Sequence, residues 1–371
     1  MKIKRYCFIP FFAFFSVGAN AQSLENKLDV LLDSVYAANR DALGILIHVE
    51  SPNHDLSWTR AVGFSDSAQT MLLDARQPVL IASNTKTYVA AVILRLVEEG
   101  LLNLDGAIYD LLSPETRAFL EQDQYNLTAI TIRHLLSHTS GIHDYVDDAY
   151  FNWVIENPQY AWTKEEQMQR AMEIGEPLSE PGESFSYGDI NYLLLTEIIE
   201  NITQTDFYTA IRTLLKYEEL GLNHTWFKDL EPTPDDLPPF AHQYAKDYQW
   251  DSYLINPAWD MYGGGGIAST VKDAALFFQY LFEGEIILND RVLQEMYGYV
   301  LPEAESKYCL GLYRFDFGFP MYYHGGWWGT GVNYSPETNT SIAVFTLVKE
   351  KRNDVNPFLG KQIHEIIRLM P

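Results

Sequence analysis

Ser83 and Lys86 stand three residues apart at the start of a segment, 83–99, rich in Ala, Val, Ile and Leu and stopped by Gly100. If Ser83 opens a helix there, Lys86 lies one turn on and its ammonium folds back toward the serine hydroxyl. Desolvation disfavours the charged form of a buried lysine, so such a lysine can accept a proton near neutral pH. A serine beside that base is a nucleophile. The helix N-terminus adds a partial positive charge that favours a developing oxyanion. Taken alone the pair is a weak signal, since a Ser-x-x-Lys spacing arises by chance about once in a chain of this length.

Three further segments carry groups suited to the same chemistry. Tyr187-Gly188-Asp189 precedes an apolar helical run at 193–199. The stretch from Arg133 through His134 and His138 ends a helix at Gly141, and His324-Gly325-Gly326-Trp327 sits at a strand start. In this order, with 81–87, the Pro181-Gly182 segment and the Gly264 to Thr270 stretch, the sequence resembles a large family of serine hydrolases. That family comprises class C β-lactamases, D,D-carboxypeptidases, D-aminopeptidases, related esterases and penicillin-binding proteins. The resemblance covers nearly all of the chain beyond its first residues. It implies that Ser83 is the acylated nucleophile and Lys86 its proton partner. Tyr187 is then the phenol that shares general-base work and protonates the leaving group, and the backbone amides of Ser83 and Trp327 form the oxyanion hole. Whether Lys86 or Tyr187 is the acylation base stays open. Tyr187 fills that role only if nearby positive charge lowers its pKa from about 10.

Two positions depart from the β-lactamase pattern. Asp189 stands where those enzymes have an asparagine; a carboxylate cannot donate a hydrogen bond as an amide does, and it favours a charged Lys86. Either Lys86 then acts mainly as an electrostatic group, or Asp189 binds a cation such as a substrate ammonium; Asn191 is a candidate for the missing amide. His324, with Gly325 and Gly326, stands where a Lys-Thr-Gly motif would. A lysine gives a permanent charge for a substrate carboxylate, whereas histidine is charged only in part near neutral pH. This points away from strong penicillin hydrolysis and toward a smaller or less anionic acyl substrate. The expected substrate-binding set is Asp189, His324, Gly325 and Gly326.

Positioning these groups requires a frame. Helical spacing at 24–38 and 363–370, strands at 44–49, 57–64, 322–324, 327–334 and 341–348, and mostly helical segments between predict an α+β fold. Its antiparallel sheet, drawn from 22–100 and 262–371, is flanked by the N- and C-terminal helices. An all-helical part, 101–261, is inserted between, and Ser83 lies at the junction. With 47% hydrophobic and 20% charged residues, the 371-residue chain can bury a large core and is not disordered.

A formal charge of -24 repels phosphate backbones, so nucleic acid is excluded as a partner. A basic start, an apolar run and Ala19-Asn20-Ala21 predict a signal peptide over 1–21, cut after Ala21, and hence a periplasmic or secreted protein without a retained membrane segment. Cys7 would leave with it, so Cys309 has no disulfide partner. His134, His138, His143 and Asp144 invite a zinc site, which needs three or four converging ligands. The resemblance explains them as structural, and no metal or cofactor is implied. The expected activity is acyl-enzyme hydrolysis of amide or ester bonds, in D-amino-acid or peptidoglycan-type peptides. The alternatives are a class C-like β-lactamase, a small-ester esterase, and a weakly catalytic penicillin-binding or cell-wall-peptide-sensing protein. The partner is thus a small peptide, ester or β-lactam.

Overall fold

The structure, a computed structural model, describes residues 14–370, with side chains from residue 24 onward. The basic start, most of the apolar run and Cys7 of the expected signal peptide lie outside the described residues. Among those described, no helix is long and apolar enough to cross a membrane.

Helix α1 (Phe14–Ala38) leads into strands β1 (Gly44–Ser51) and β2 (Leu56–Gly63). The other four strands of the same sheet come from the far end of the chain: β8 (Tyr313–Asp316), β9 (Pro320–Gly325), β10 (Thr330–Ser335) and β11 (Thr340–Thr346). They pair in the order β2-β1-β11-β10-β9-β8, with Ile45 opposite Thr346 and Ile47 opposite Val344, antiparallel throughout. One face carries Ile45, Ile47, Val49, Ile342 and Val344, and is covered by α1 through Leu24, Leu28 and Leu32 and by α12 (Arg352–Arg368) through Val355, Leu359 and Ile363. Helix α10 (Val271–Phe282) closes the opposite face, over Leu46 and Phe345. Covered on both faces, β1 reads as a continuous apolar run rather than an alternating one. Each fully buried Leu or Ile in these layers contributes about 1.5–3 kcal/mol.

Helix α2 (Thr85–Glu98) is buried nearly all round, which is why its apolar residues form no single stripe. Packed beside or near it are α3 (Pro114–Gln122), α4 (Ile132–Leu136), α5 (Asp148–Glu156), α6 (Lys164–Ile174), α7 (Ile190–Thr203), α8 (Phe207–Leu214), α9 (Tyr217–Leu220) and, beyond the insertion, α11 (Asp290–Met296). The insertion is mostly helical, but not entirely so. It contains β4 (Thr225–Phe227), β5 (Tyr244–Ala245) and β6 (Trp250–Asp251). Strand β4 pairs with β7 (Ile267–Ser269), which pairs in turn with β3 (Val79–Leu80). These strands of two or three residues are too short to show a period in sequence. They tie the insertion to the segment that delivers Ser83, and one apolar cluster runs from Phe345 on the sheet to Leu193 in the insertion.

Candidate active site

Ser83 does not lie in α2 itself. It sits in the 3-10 turn Ala82–Asn84 that feeds the helix. Ala82 adopts a left-handed backbone, φ 46°, a conformation that costs an L-residue about 1–2 kcal/mol. Neighbouring bonds hold it there. Asn84 Nδ2 donates to Ile81 O (2.9 Å) and to Thr330 Oγ1 (2.8 Å), and Thr330 Oγ1 donates to Ile81 O (2.9 Å). Strand β10 thus fixes the turn that carries the hydroxyl.

Lys86, fully buried, reaches Ser83 Oγ at 3.3 Å, Gly264 O at 2.8 Å and Asp189 Oδ1 at 2.5 Å. The ammonium donates to the first two and is ion-paired with the third. Burial alone would push the group down; Asp189, first among the groups that oppose it, holds the ammonium above its ordinary value. Of the two expectations for Lys86, the geometry favours the one that Asp189 implied over a base made neutral by desolvation: Lys86 rests protonated, because a carboxylate faces it. Asp189, at the N-cap of α7, is occupied by Lys86, which removes it as a free pocket for a substrate ammonium. Asn191 does not replace the missing amide either. Buried, it donates to Gly188 O (3.1 Å) and accepts from Ser140 Oγ (2.6 Å).

Tyr187 is 36% exposed along the cleft, with its ring centroid 5.0 Å from Lys86 Nζ. Desolvation raises its phenol, the Lys86 charge lowers it, and Asp189 raises it again, with a net upward displacement. Tyr187 rests as the neutral phenol, contrary to the lowered value required of a resting base. Behind it His138 packs ring on ring at 4.2 Å. Its Nδ1 accepts from Gly188 N (3.2 Å), so the neutral ring positions the Tyr187-Gly188 backbone. His134 joins the capping box of α4, and Asp144 Oδ1 accepts from Tyr145 N and Ile190 N, each at 3.0 Å.

Ser83, Tyr187, His324, Gly325, Trp327 and Arg352 line a cleft of about 350 Å³. Gly326 N donates to Thr330 O (2.8 Å) and Gly329 N to Gly326 O (3.1 Å), a turn that presents Trp327 across from Ser83. Trp327 therefore precedes β10 rather than beginning it. Its indole stacks on Phe151 at 5.9 Å and walls one side of the cleft. His324 supplies no charge. It is 1% exposed; burial first, then the Lys86 charge, lowers it to about 3. Its Nδ1 lies 2.9 Å from Gly325 O and its Nε2 3.1 Å from Tyr308 Oη, the pattern of a neutral ring that donates to the carbonyl and accepts from the phenol. The positive charge is instead that of Arg352, at the start of α12, which sequence reading missed within the basic run 349–352. Arg352 Nη1 donates to Gly326 O (3.0 Å). Among the described residues no carboxylate pairs with it.

The Beta-lactamase family model matches residues 36–361. Penicillin-binding protein 4* of Bacillus subtilis (strain 168) is 25% identical over 246 residues, 63% of this chain and 51% of that protein. Protein flp of Staphylococcus aureus (strain MW2) is 33% identical over 171 residues, 46% of this chain and 32% of that protein. The chain thus spans about half the length of these curated relatives, or less. Among solved structures, D-amino acid amidase from Ochrobactrum anthropi SV3, complexed with L-phenylalanine amide, superposes with a TM-score of 0.75 at 22% identity, over 93% of this chain and 99% of that one. With the match running from β1 through the turn of Ser83 and the cleft to α12, the chain belongs to the Beta-lactamase family, a family of serine hydrolases.

Proposed function

We propose that the protein is an exported hydrolase that forms an acyl-enzyme at Ser83 on amide bonds of small D-amino-acid or peptidoglycan-type peptides. The observation that carries this reading is Lys86 Nζ held between Ser83 Oγ and Asp189 at the floor of a cleft walled by Tyr187 and Trp327. Ser83 Oγ attacks the carbonyl carbon while its proton passes to Lys86, once Lys86 has yielded one of its own to Asp189. Tyr187, a neutral phenol beside the ammonium, is the proton donor for the leaving nitrogen. The amides of Ser83 and Trp327 receive the oxyanion. The names of penicillin-binding protein 4* and of the D-amino acid amidase favour D-configured amides and β-lactams as substrates.

Intact-mass spectrometry with a penicillin, and ammonia release from D-phenylalanine amide, test the reading against Ser83→Ala. A Ser83-dependent adduct or Ser83-dependent turnover is expected. Wild type indistinguishable from Ser83→Ala in both assays overturns it. A stable adduct with no turnover of any amide selects the penicillin-binding sensor, which a resting charged Lys86 favours.

Arg352 narrows the substrate class. An unpaired guanidinium beside a neutral His324 suits a substrate whose leaving side ends in a free carboxylate. A hydrogen bond to a charged group contributes about 1.5–3 kcal/mol, so Arg352→Ala should raise KM for a dipeptide with a free D-carboxylate by about 10- to 100-fold. The matching dipeptide amide should change by less than about 3-fold. Equal changes in both would remove Arg352 as the carboxylate site.

A further inference from the structure

Asp260 ends the 3-10 turn Pro257–Asp260 and is 6% exposed, with its Oδ1 buried and without a partner. It lies behind the loop whose Gly264 carbonyl takes a hydrogen from Lys86. A methyl group on Gly264 would fall 2.9 Å from Asp260 Oδ1 and 2.9 Å from Asp189 Cγ, and one on Gly265 would fall 2.2 Å from Asp260 Oδ2. The two carboxyl groups therefore lie on either side of a single glycine with no hydrogen bond between them, and only glycines leave them the room. Two like charges near one another and out of water are costly, and a proton on the more deeply buried, partnerless Asp260 relieves the cost.

We propose that Asp260 is a positioning residue that rests protonated behind Gly264, leaving Asp189 as the single negative charge that faces Lys86. With one proton, the pair carries a single negative charge that balances the ammonium. When Lys86 gives a proton to Asp189, the pair holds two and is neutral; the free amine of Lys86 then accepts the Ser83 proton as Oγ bonds to the carbonyl carbon. When rising pH removes the Asp260 proton, two negative charges face Lys86 and lock its proton in place, so acylation slows. Burial, then the Asp189 charge, raises Asp260 well above the usual carboxylate range, with Lys86 opposing. The other groups facing Asp260 are Asp144 and Tyr145 from the loop after α4 and Tyr150 from α5. Asp144 is pushed up to about 7 by burial and by Asp189. Tyr150 Oη is engaged with Trp259 O at 2.8 Å.

This inference rests on the Ser83 acyl-enzyme reading, and the test separates the two. The rate of Ser83 acylation by benzylpenicillin, followed by intact mass across pH, should fall on an alkaline limb in the wild type. In Asp260→Asn that limb should move up by about one pH unit or more. Infrared difference spectra should show a protonated-carboxyl band at neutral pH that is lost in Asp260→Asn and retained in Asp144→Asn. An unmoved limb, or a band undiminished in Asp260→Asn, overturns the proposal. If Asp260→Asn fails to fold, wild type decides: the band and the limb must titrate with one midpoint, and two separate midpoints overturn it. If no adduct forms at any pH, the acyl-enzyme reading fails, while the infrared band still decides where the proton is.

Discussion

Replacement of Lys86 by methionine is expected to slow acylation of Ser83 by about 10²- to 10⁴-fold, the range removed with a proton-transfer partner. Methionine keeps most of the buried stem and deletes the charge, so the loss isolates what the ammonium does. Ser83 and Lys86 act on one proton, and groups that act as a unit are not additive. The Ser83→Ala/Lys86→Met double variant should therefore be no less active than Ser83→Ala alone. Single-turnover acylation followed by mass spectrometry measures the first and steady-state amide turnover the second; an acylation loss below about 10-fold for Lys86→Met would show that the proton leaves Ser83 by another route.

The same substitution carries a stability signature. Asp189, with a side chain only 14% exposed, would face Gly264 O and an apolar methyl group instead of an ammonium. Leaving one member of a buried pair uncompensated costs about 3–5 kcal/mol. Adding Asp189→Asn to Lys86→Met should return most of that stability in urea unfolding and none of the activity. A double variant as unstable as the single one would show that the pair is not coupled. The sign with pH follows from the raised lysine. The pair's contribution is complete below the ordinary lysine value of 10.5 and is lost only as pH rises through the higher folded-state value.

The charges in this site are the part that sequence reading could not reach. The order of motifs singles out Ser83, Lys86 and Tyr187 as candidates, and alternation places β1, β2, β9 and β11 within a few residues, whereas α1 and α12 begin about ten residues before their apolar spacing shows. Protonation is a property of convergence. Asp189 faces Lys86 because it precedes the first turn of α7, and Asp260 arrives from a separate loop, so no spacing along the chain shows that three ionisable groups converge. His324 has the same residue type whether exposed and titrating or buried against Tyr308, and only packing tells the two apart. Arg352 is one of three basic residues in 349–352, yet it alone of these lines the cleft, because α12 begins there. Trp327 reads as strand from its aromatic, β-forming neighbours. Gly329, at φ 104°, turns the chain first and delays β10 to Thr330.

That turn supplies the second large effect, from Gly326→Ala. A methyl group there would fall 2.1 Å from Thr330 Oγ1, 2.2 Å from Ile81 O and 2.9 Å from Asn84 Nδ2. None of the three is the free end of a flexible side chain: they are the bonded set that holds Ala82 in its left-handed conformation and Ser83 at the mouth of the cleft. The turn must move, and the Trp327 amide moves with it relative to Ser83. A displacement of about 1 Å at a reacting centre costs about 10²-fold, so kcat should fall by about that factor with KM changing far less. Overpacking should cost a further 1–3 kcal/mol or so of stability. Gly298→Ala, whose new methyl group would have nothing nearer than 3.8 Å, is the control and should alter neither. If Gly326→Ala acylates at the wild-type rate, the two turns are not rigidly joined, and Ser83 and Trp327 cannot together be the oxyanion hole.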